Sequence, residues 1–110
     1  PRYVFNGQDI LIDDQGYLIN RHDWSRALAE QLAADENITL NDEIWQIIHF
    51  VRNFYEEYDT SPAIRILVKA LAQEFGPEVG NSRYLHRLLP GGPAKMASKL
   101  AGLPKPAKCL

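Results

Sequence analysis

The stretch that constrains the fold most is NDEIWQIIHFVRNFYEEY, residues 41–58. Asn41 belongs to the residue types that cap helix N-termini, and Asp42 and Glu43 suit the positive end of the helix dipole. Apolar residues then recur at helical spacing: Ile44, Ile48, Val51, Tyr55 and Tyr58, with Trp45, Ile47 and Phe54 widening the stripe. So broad an apolar face predicts a helix that contacts the core on more than one side.

Further helical patterns lie on both sides of this stretch. Asp23 is placed to cap a helix whose apolar residues fall at positions 24, 27, 28 and 32. Ser61 followed by Pro62 predicts the start of another helix. Asn81 and Pro93 predict the starts of two shorter ones. The sequence therefore predicts an array of about five helices.

Three short β segments precede the helices, at residues 3–5, 10–12 and 17–19. The dipeptide Asn6-Gly7 favours a tight turn between the first two, and a turn ending at Gly16 separates the second from the third. Such an arrangement predicts an antiparallel β meander. Because so few strands cannot bury a core alone, we expect the meander to pack on the helices, giving an α+β fold.

The last eight residues, LPKPAKCL, follow a different pattern. Pro104 and Pro106 exclude a helix and favour extended backbone, and no alternation marks a strand. We therefore expect a single globular domain over residues 1–102 and a mobile C-terminal arm over residues 103–110. Seven residues lead from Gly102 to Cys109, so a fully extended arm would reach about 23 Å.

Composition is that of an ordinary globular protein, with 45% apolar and 24% charged residues. No run approaches the roughly 20 apolar residues that cross a bilayer, and the N-terminus carries no signal-peptide pattern. A single cysteine cannot form an internal disulfide, which suits a reducing compartment. We expect a cytoplasmic protein with no membrane partner.

Charge is distributed very unevenly along the chain. Residues 1–78 hold all 14 acidic side chains and six of the 12 basic ones, a net charge of −8. Residues 79–110 hold the other six basic side chains and no acidic one, a net charge of +6. Either the C-terminal third meets an anionic partner, or it packs against the acidic part of its own chain.

Cys109 is the only cysteine and the first candidate for chemistry, because a thiolate is the reactive and sulfur-accepting form of cysteine. Lys105 and Lys108 favour the thiolate, and the terminal carboxylate of Leu110 opposes them. The alternative is a chance surface cysteine on a frayed tail, which composition alone favours.

Metal and cofactor chemistry have no support in the sequence. His22, His49 and His86 lack metal-ligand spacing, and one cysteine makes no zinc site. No glycine-rich phosphate loop is present. We expect no metal and no cofactor, and His86, in the basic segment, is better placed to touch a partner.

A helix-turn-helix is an alternative, because the helices at 61–75 and 81–89 are joined by a short glycine-containing link and the second carries Arg83 and Arg87. The overall acidity of the chain argues against DNA binding, since phosphate contacts supply most non-specific affinity. No DNA partner is expected.

Several motifs together are more specific than any one of them. They are GNSRYL at residues 80–85, GPAK at 92–95, AGLPKP at 101–106 and the penultimate Cys109, with SPAIR at 61–65 and DQGYL at 14–18 upstream. This combination resembles the TusE/DsrC family over nearly the whole chain. The resemblance implies a small β meander on a helical array with a flexible C-terminal arm, in agreement with the patterns above.

The resemblance also implies a function. The penultimate cysteine, here Cys109, would hold sulfane sulfur as a persulfide in a sulfur relay for 2-thiouridine synthesis at the tRNA wobble position. Sulfur would come from a TusBCD-like donor complex and pass to a tRNA 2-thiouridylase acting with tRNA. Such a protein is a sulfurtransferase-type carrier rather than an autonomous enzyme.

One position separates two branches of the family. DsrC proteins of dissimilatory sulfite reduction and sulfur oxidation carry a second cysteine near the end of the last helix, where this chain has Ser98. A hydroxyl cannot form a disulfide with Cys109, so the resemblance favours the TusE-like branch. A DsrC-type partner of sulfite reductase is the alternative.

The basic side chains of the C-terminal third are candidates for partner binding. Lys105 and Lys108 would travel with the thiol and steer it, and four others could form a fixed docking face. The alternative for each is solvated surface charge. The six candidates are Arg83, Arg87, Lys95, Lys99, Lys105 and Lys108.

Overall fold

The computed structural model describes residues 1–107. Its elements follow one another along the chain as a β-hairpin, a short 3₁₀ turn at Arg21–Asp23 and five α-helices. The strands are β1 (Arg2–Phe5) and β2 (Gln8–Leu11). The helices are α1 (Arg26–Asp35), α2 (Asp42–Tyr58), α3 (Ile64–Phe75), α4 (Ser82–Leu88) and α5 (Pro93–Leu100). The predicted α+β class is confirmed.

The N-terminal hairpin forms at the predicted turn. Asn6 and Gly7 both have positive φ, 51° and 75°, as a tight turn between antiparallel strands requires. The third β segment is reduced to one bridge, between Ile12 and Leu18. The third segment ends before Asn20, because the Asn20 side chain accepts a hydrogen bond from the His22 N–H and caps the 3₁₀ turn.

Most helix boundaries follow the sequence signals. The side chains of Asn41 and Asn81 accept hydrogen bonds from the N–H groups of Ile44 and Tyr84, and Pro93 is the first residue of α5. These three predicted starts are confirmed.

Two predicted helix caps are wrong. Asp23 ends the 3₁₀ turn, and Ser25 caps α1 by accepting the Leu28 N–H at 3.1 Å. Helix α3 begins at Ile64 without a side-chain cap. Ser61 does not cap it, because the residue at the cap position is Ala63; the Ser61 hydroxyl instead donates to the Pro104 carbonyl.

Helix α5 lies at the centre of the helical array and contacts each of the other four helices. Ala97, Ser98 and Leu100 on this helix are fully buried. A short helix enclosed in this way fixes the direction in which the C-terminal residues leave the domain. Among residues 1–107, no helix is long and apolar enough to cross a bilayer.

Candidate functional site

Cys109, the predicted reactive residue, lies outside the described residues, as does Lys108. The candidate site comprises the described residues that lead to Cys109 and the surface beside them. The described chain ends at Ala107, two residues before the thiol.

The first part of the C-terminal arm packs on the domain. Leu103 is only 2% exposed, and its N–H donates to the Ser98 carbonyl at 3.0 Å. The hydroxyl of Ser61 donates to the Pro104 carbonyl at 2.7 Å. Pro106 is also buried, whereas Lys105 and Ala107 are exposed. These contacts hold residues 103–106, the first half of the predicted arm, against the domain.

The junction between α5 and the arm is held by two side chains from distant elements. The Trp24 indole N–H donates to the Leu100 carbonyl at 2.8 Å, and Arg52 Nη1 donates to the Ala101 carbonyl at 2.7 Å. The Arg52 guanidinium also stacks 3.8 Å from the centre of the Trp24 ring. Burial lowers the pKa of Arg52; the Glu56 carboxylate opposes this shift, and Arg21 adds to it.

This junction satisfies carbonyls that a helix end leaves without partners. Beyond Gly102, residues Lys105 to Ala107 line a surface groove. Sequence patterns did not identify Trp24, Arg52 or Ser61 as parts of this site. No local signal could have done so, since each acts on a residue more than 40 positions away.

A groove of about 490 Å³ lies between the arm and the start of α5; we call it the arm groove. Its walls come from the start of α3, the turn before α5, the first residues of α5 and the arm itself. The lining residues are Ala63, Ile64, His86, Gly91 to Lys95 and Lys105 to Ala107. The arm thus forms one side of the cavity, at positions that precede Cys109 in the sequence.

His86 stands on the α4 side of the arm groove with one ring nitrogen already engaged. Its Nδ1 lies 2.8 Å from the Ser82 carbonyl oxygen. Because a carbonyl only accepts, Nδ1 carries the proton. In the neutral ring, Nε2 is then a hydrogen-bond acceptor available to an occupant of the groove.

The structure brings together some of the predicted partner-binding residues. Lys95 and Lys105 line the arm groove, and Arg83 lines a neighbouring open cleft of about 900 Å³. His86 lines both cavities and so joins them. The two adjoining cavities are therefore lined by three of the predicted basic residues and by His86.

Two other predicted residues lie elsewhere. Lys99 is half-buried, and its ammonium lies 3.3 Å from a Glu36 carboxylate oxygen. Arg87 lies near Tyr84, whose hydroxyl donates to Glu43 at 2.7 Å. Neither side chain lines the arm groove. Partner binding by any of the six basic residues stays a prediction.

Ser98 is 0% exposed, and its hydroxyl has no hydrogen-bond partner among the described residues. A buried hydroxyl normally finds one. The unpaired oxygen indicates that this position accommodates a small side chain and does not require a hydrogen-bonding one. Within residues 1–107, no group of three His, Cys, Asp or Glu side chains is arranged to hold a metal ion.

Comparison with known sequences finds related proteins over nearly the whole chain. Residues 4–110 match the family model described as DsrC like protein. The sulfurtransferase TusE of Sodalis glossinidius is 63% identical over 106 residues, which cover 96% of this chain and 98% of that protein. The sulfurtransferase TusE of Photorhabdus laumondii is 61% identical over 107 residues, covering 97% and 96%.

Solved structures share the fold. The DsrC protein of Allochromatium vinosum, determined by NMR, superposes with a TM-score of 0.89 at 45% identity, covering 99% of this chain and 97% of that one. The oxidised gamma subunit of the dissimilatory sulfite reductase (DsrC) of Archaeoglobus fulgidus gives a TM-score of 0.84 at 36% identity, with both chains fully covered.

Proposed function

Because this chain belongs to the DsrC-like protein family, we propose that it is a sulfur-relay protein that carries sulfane sulfur as a persulfide on Cys109. The names of its relatives at about 60% identity, all sulfurtransferase TusE, support the sulfur-relay role. The single observation that carries the assignment to Cys109 is that the chain has only one thiol, at the penultimate position.

The transfer needs no metal and no external oxidant. The Cys109 thiolate attacks the outer sulfur of a donor persulfide, forming one S–S bond while the donor S–S bond breaks and the donor leaves as a thiolate. Cys109 then holds the sulfane sulfur. An acceptor thiolate attacks this sulfur in turn, and Cys109 returns to its thiolate form.

The finer parts of the proposal concern the partners. The donor is a TusBCD-like complex, and the acceptor is a tRNA 2-thiouridylase acting with tRNA in 2-thiouridine synthesis. A reducing cytoplasm suits the scheme, because it keeps a lone thiol free of stable disulfides. The protein hands sulfur on and does not turn over by itself.

Ser98 supports this role over that of a DsrC-type partner of sulfite reductase. The second thiol of those proteins is replaced here by a buried hydroxyl, which cannot share a disulfide or trisulfide with Cys109. A carrier with one thiol is limited to accepting and donating single sulfur atoms. The arm groove beside the chain leading to Cys109 offers a surface on which a partner can dock.

Intact mass spectrometry after incubation with a persulfide donor tests the proposal. We expect the wild-type protein to gain the mass of one sulfur atom, which reductant removes, because the thiolate is the sulfur acceptor. Cys109→Ser should gain none, and Ser82→Ala, a control on the exposed surface, should load normally. Sulfur uptake by Cys109→Ser would refute the proposal.

A further inference from the structure

The arm groove combines an apolar lining with a cationic rim. Ala63 and Ile64 at the start of α3 and Pro93 and Ala94 at the start of α5 supply aliphatic surface, and Pro106 adds to it from the arm. Pro93 and Pro106 are rigid and buried, so much of this surface is formed in advance. A cavity of about 490 Å³ accommodates a few side chains of an extended chain.

Among residues 1–107, no ion pair neutralises the positive charge of the rim. Lys95 and Lys105 are exposed, and neither forms an ion pair with a described residue. No Asp or Glu lines the arm groove, and residues 79–107 contain none. The first turn of α5, which has no side-chain cap, adds its partial positive charge to the same region. An anionic occupant is therefore complementary to the groove.

The apolar lining distinguishes between two kinds of anionic occupant. Nucleic acid binding relies on many phosphate contacts across a strongly basic surface. Here the described lining has two lysines and one histidine beside aliphatic side chains, which are too few cations for an extended set of phosphate contacts. A protein segment with carboxylates beside small apolar side chains matches both the lining and the rim.

On these grounds we propose that the arm groove binds an extended segment of a partner protein, in which Asp or Glu alternates with small apolar residues. The inference rests on the proposed relay function, because the arm forms one wall of the groove two residues before Cys109. Carboxylates of the segment would contact Lys95 and Lys105, and Nε2 of the neutral His86 ring would accept a hydrogen bond from a backbone N–H of the segment. Binding would hold the partner's own sulfur-bearing residue close to the thiol.

Amide chemical shifts of the full-length, ¹⁵N-labelled protein test the proposal with a defined probe. The probe is a capped ten-residue peptide of alternating aspartate and alanine, compared with the same peptide carrying lysine in place of aspartate. We expect the acidic peptide to shift the resonances of Ala63, Ile64, Ala94, Lys95 and Ala107. The basic peptide should leave them unchanged.

A matched pair of variants then tests the role of the rim. Lys95→Glu reverses one charge of the rim, whereas Lys69→Glu reverses an exposed lysine of α3 outside the groove. Lys95→Glu should weaken the acidic peptide roughly tenfold, since a like charge facing a bound carboxylate is unfavourable. Lys69→Glu should bind it within about twofold of wild type.

Three results would overturn the proposal: no shifts at millimolar acidic peptide, equal weakening by both variants, or an RNA oligonucleotide that shifts the groove resonances when the peptide does not. Loading of Cys109 by a small persulfide donor is measured on the same samples. Normal loading of Cys109 without peptide binding would refute peptide binding by the arm groove and leave the proposed relay function standing. Failure of wild-type loading would refute the relay instead.

Discussion

At the scale of single residues, two buried serines have opposite roles. Ser61 and Ser98 are 6% and 0% exposed. The Ser61 hydroxyl donates to the Pro104 carbonyl and thereby holds the arm. The Ser98 hydroxyl has no partner among the described residues. The free-energy cost of burying an unpaired hydroxyl is therefore expected at Ser98 and not at Ser61.

Replacing each serine with alanine should change stability in opposite directions. Ser98→Ala removes an unpaired oxygen and improves helix propensity within α5, so it should raise the free energy of unfolding by up to about 1 kcal/mol. Ser61→Ala leaves the Pro104 carbonyl without its donor and should lower it by about 1–2 kcal/mol. Urea denaturation measures both. A loss of more than about 1 kcal/mol in Ser98→Ala would contradict the assignment of an unpaired hydroxyl.

At the scale of elements, local signals predicted what depends on neighbouring residues. Asn41, Asn81 and Pro93 begin helices as expected, because capping and a fixed proline φ act within one turn. The failures concern which residue occupies the cap position. Ser61 has the residue type and the following proline of a cap, yet α3 begins only at Ile64, and the Ser61 hydroxyl donates to the Pro104 carbonyl instead.

The candidate site was only partly predictable, because its contacts join residues that are distant in the sequence. Cys109 and the basic residues are visible from composition and motif, but their neighbours are not. Trp24 and Arg52 reach the end of α5 from positions 76 and 49 residues away. The arm groove forms where α3, α5 and the arm meet. Periodic patterns in the sequence predict the helices but not which of them lie side by side.

The turn from α5 into the arm depends on a glycine. Gly102 has a φ of +71°, and a Cβ atom there would lie 2.6 Å from Trp24 Cδ1. Gly102→Ala should lower the free energy of unfolding by about 3 kcal/mol, since backbone strain and a clash with the indole act together.

Gly91→Ala is the matched control for this substitution. Gly91 has a φ of +89°, but a Cβ atom there would meet nothing within 4 Å. Gly91→Ala should lower the free energy of unfolding through backbone strain alone, by about 1–2 kcal/mol. Equal losses for the two variants, measured by urea denaturation, would mean that the indole contact does not hold the junction.

At the scale of the whole molecule, the two oppositely charged parts of the chain are only partly matched to each other. Lys99 pairs with Glu36 and so links α5 to the end of α1. Arg83, Lys95 and Lys105 instead line cavities at the surface. Packing of the basic third against the acidic part therefore accounts for Lys99, whereas Lys95 and Lys105 give the arm groove its positive charge.

Two tyrosines connect distant elements through carboxylates and make stability sensitive to alkaline pH. Tyr3 on β1 donates to Asp35 at the end of α1, and Tyr84 on α4 donates to Glu43 on α2. In each case burial, then the hydrogen bond and the charge of the carboxylate, raises the tyrosine pKa to about 12. The unfolded chain has the usual value of about 10.

Because the pKa values are higher in the folded protein, each phenol contributes its full stabilisation below about pH 10 and loses it as the pH rises toward 12. The urea midpoint should therefore fall over this range. Tyr3→Phe and Tyr84→Phe should each lower the midpoint at pH 8 and flatten its decline. Tyr58→Phe, which removes an exposed hydroxyl with no hydrogen bond to the described residues, should keep the wild-type profile. An unchanged slope in the Tyr3→Phe/Tyr84→Phe double variant would show that these phenols do not cause the alkaline loss of stability.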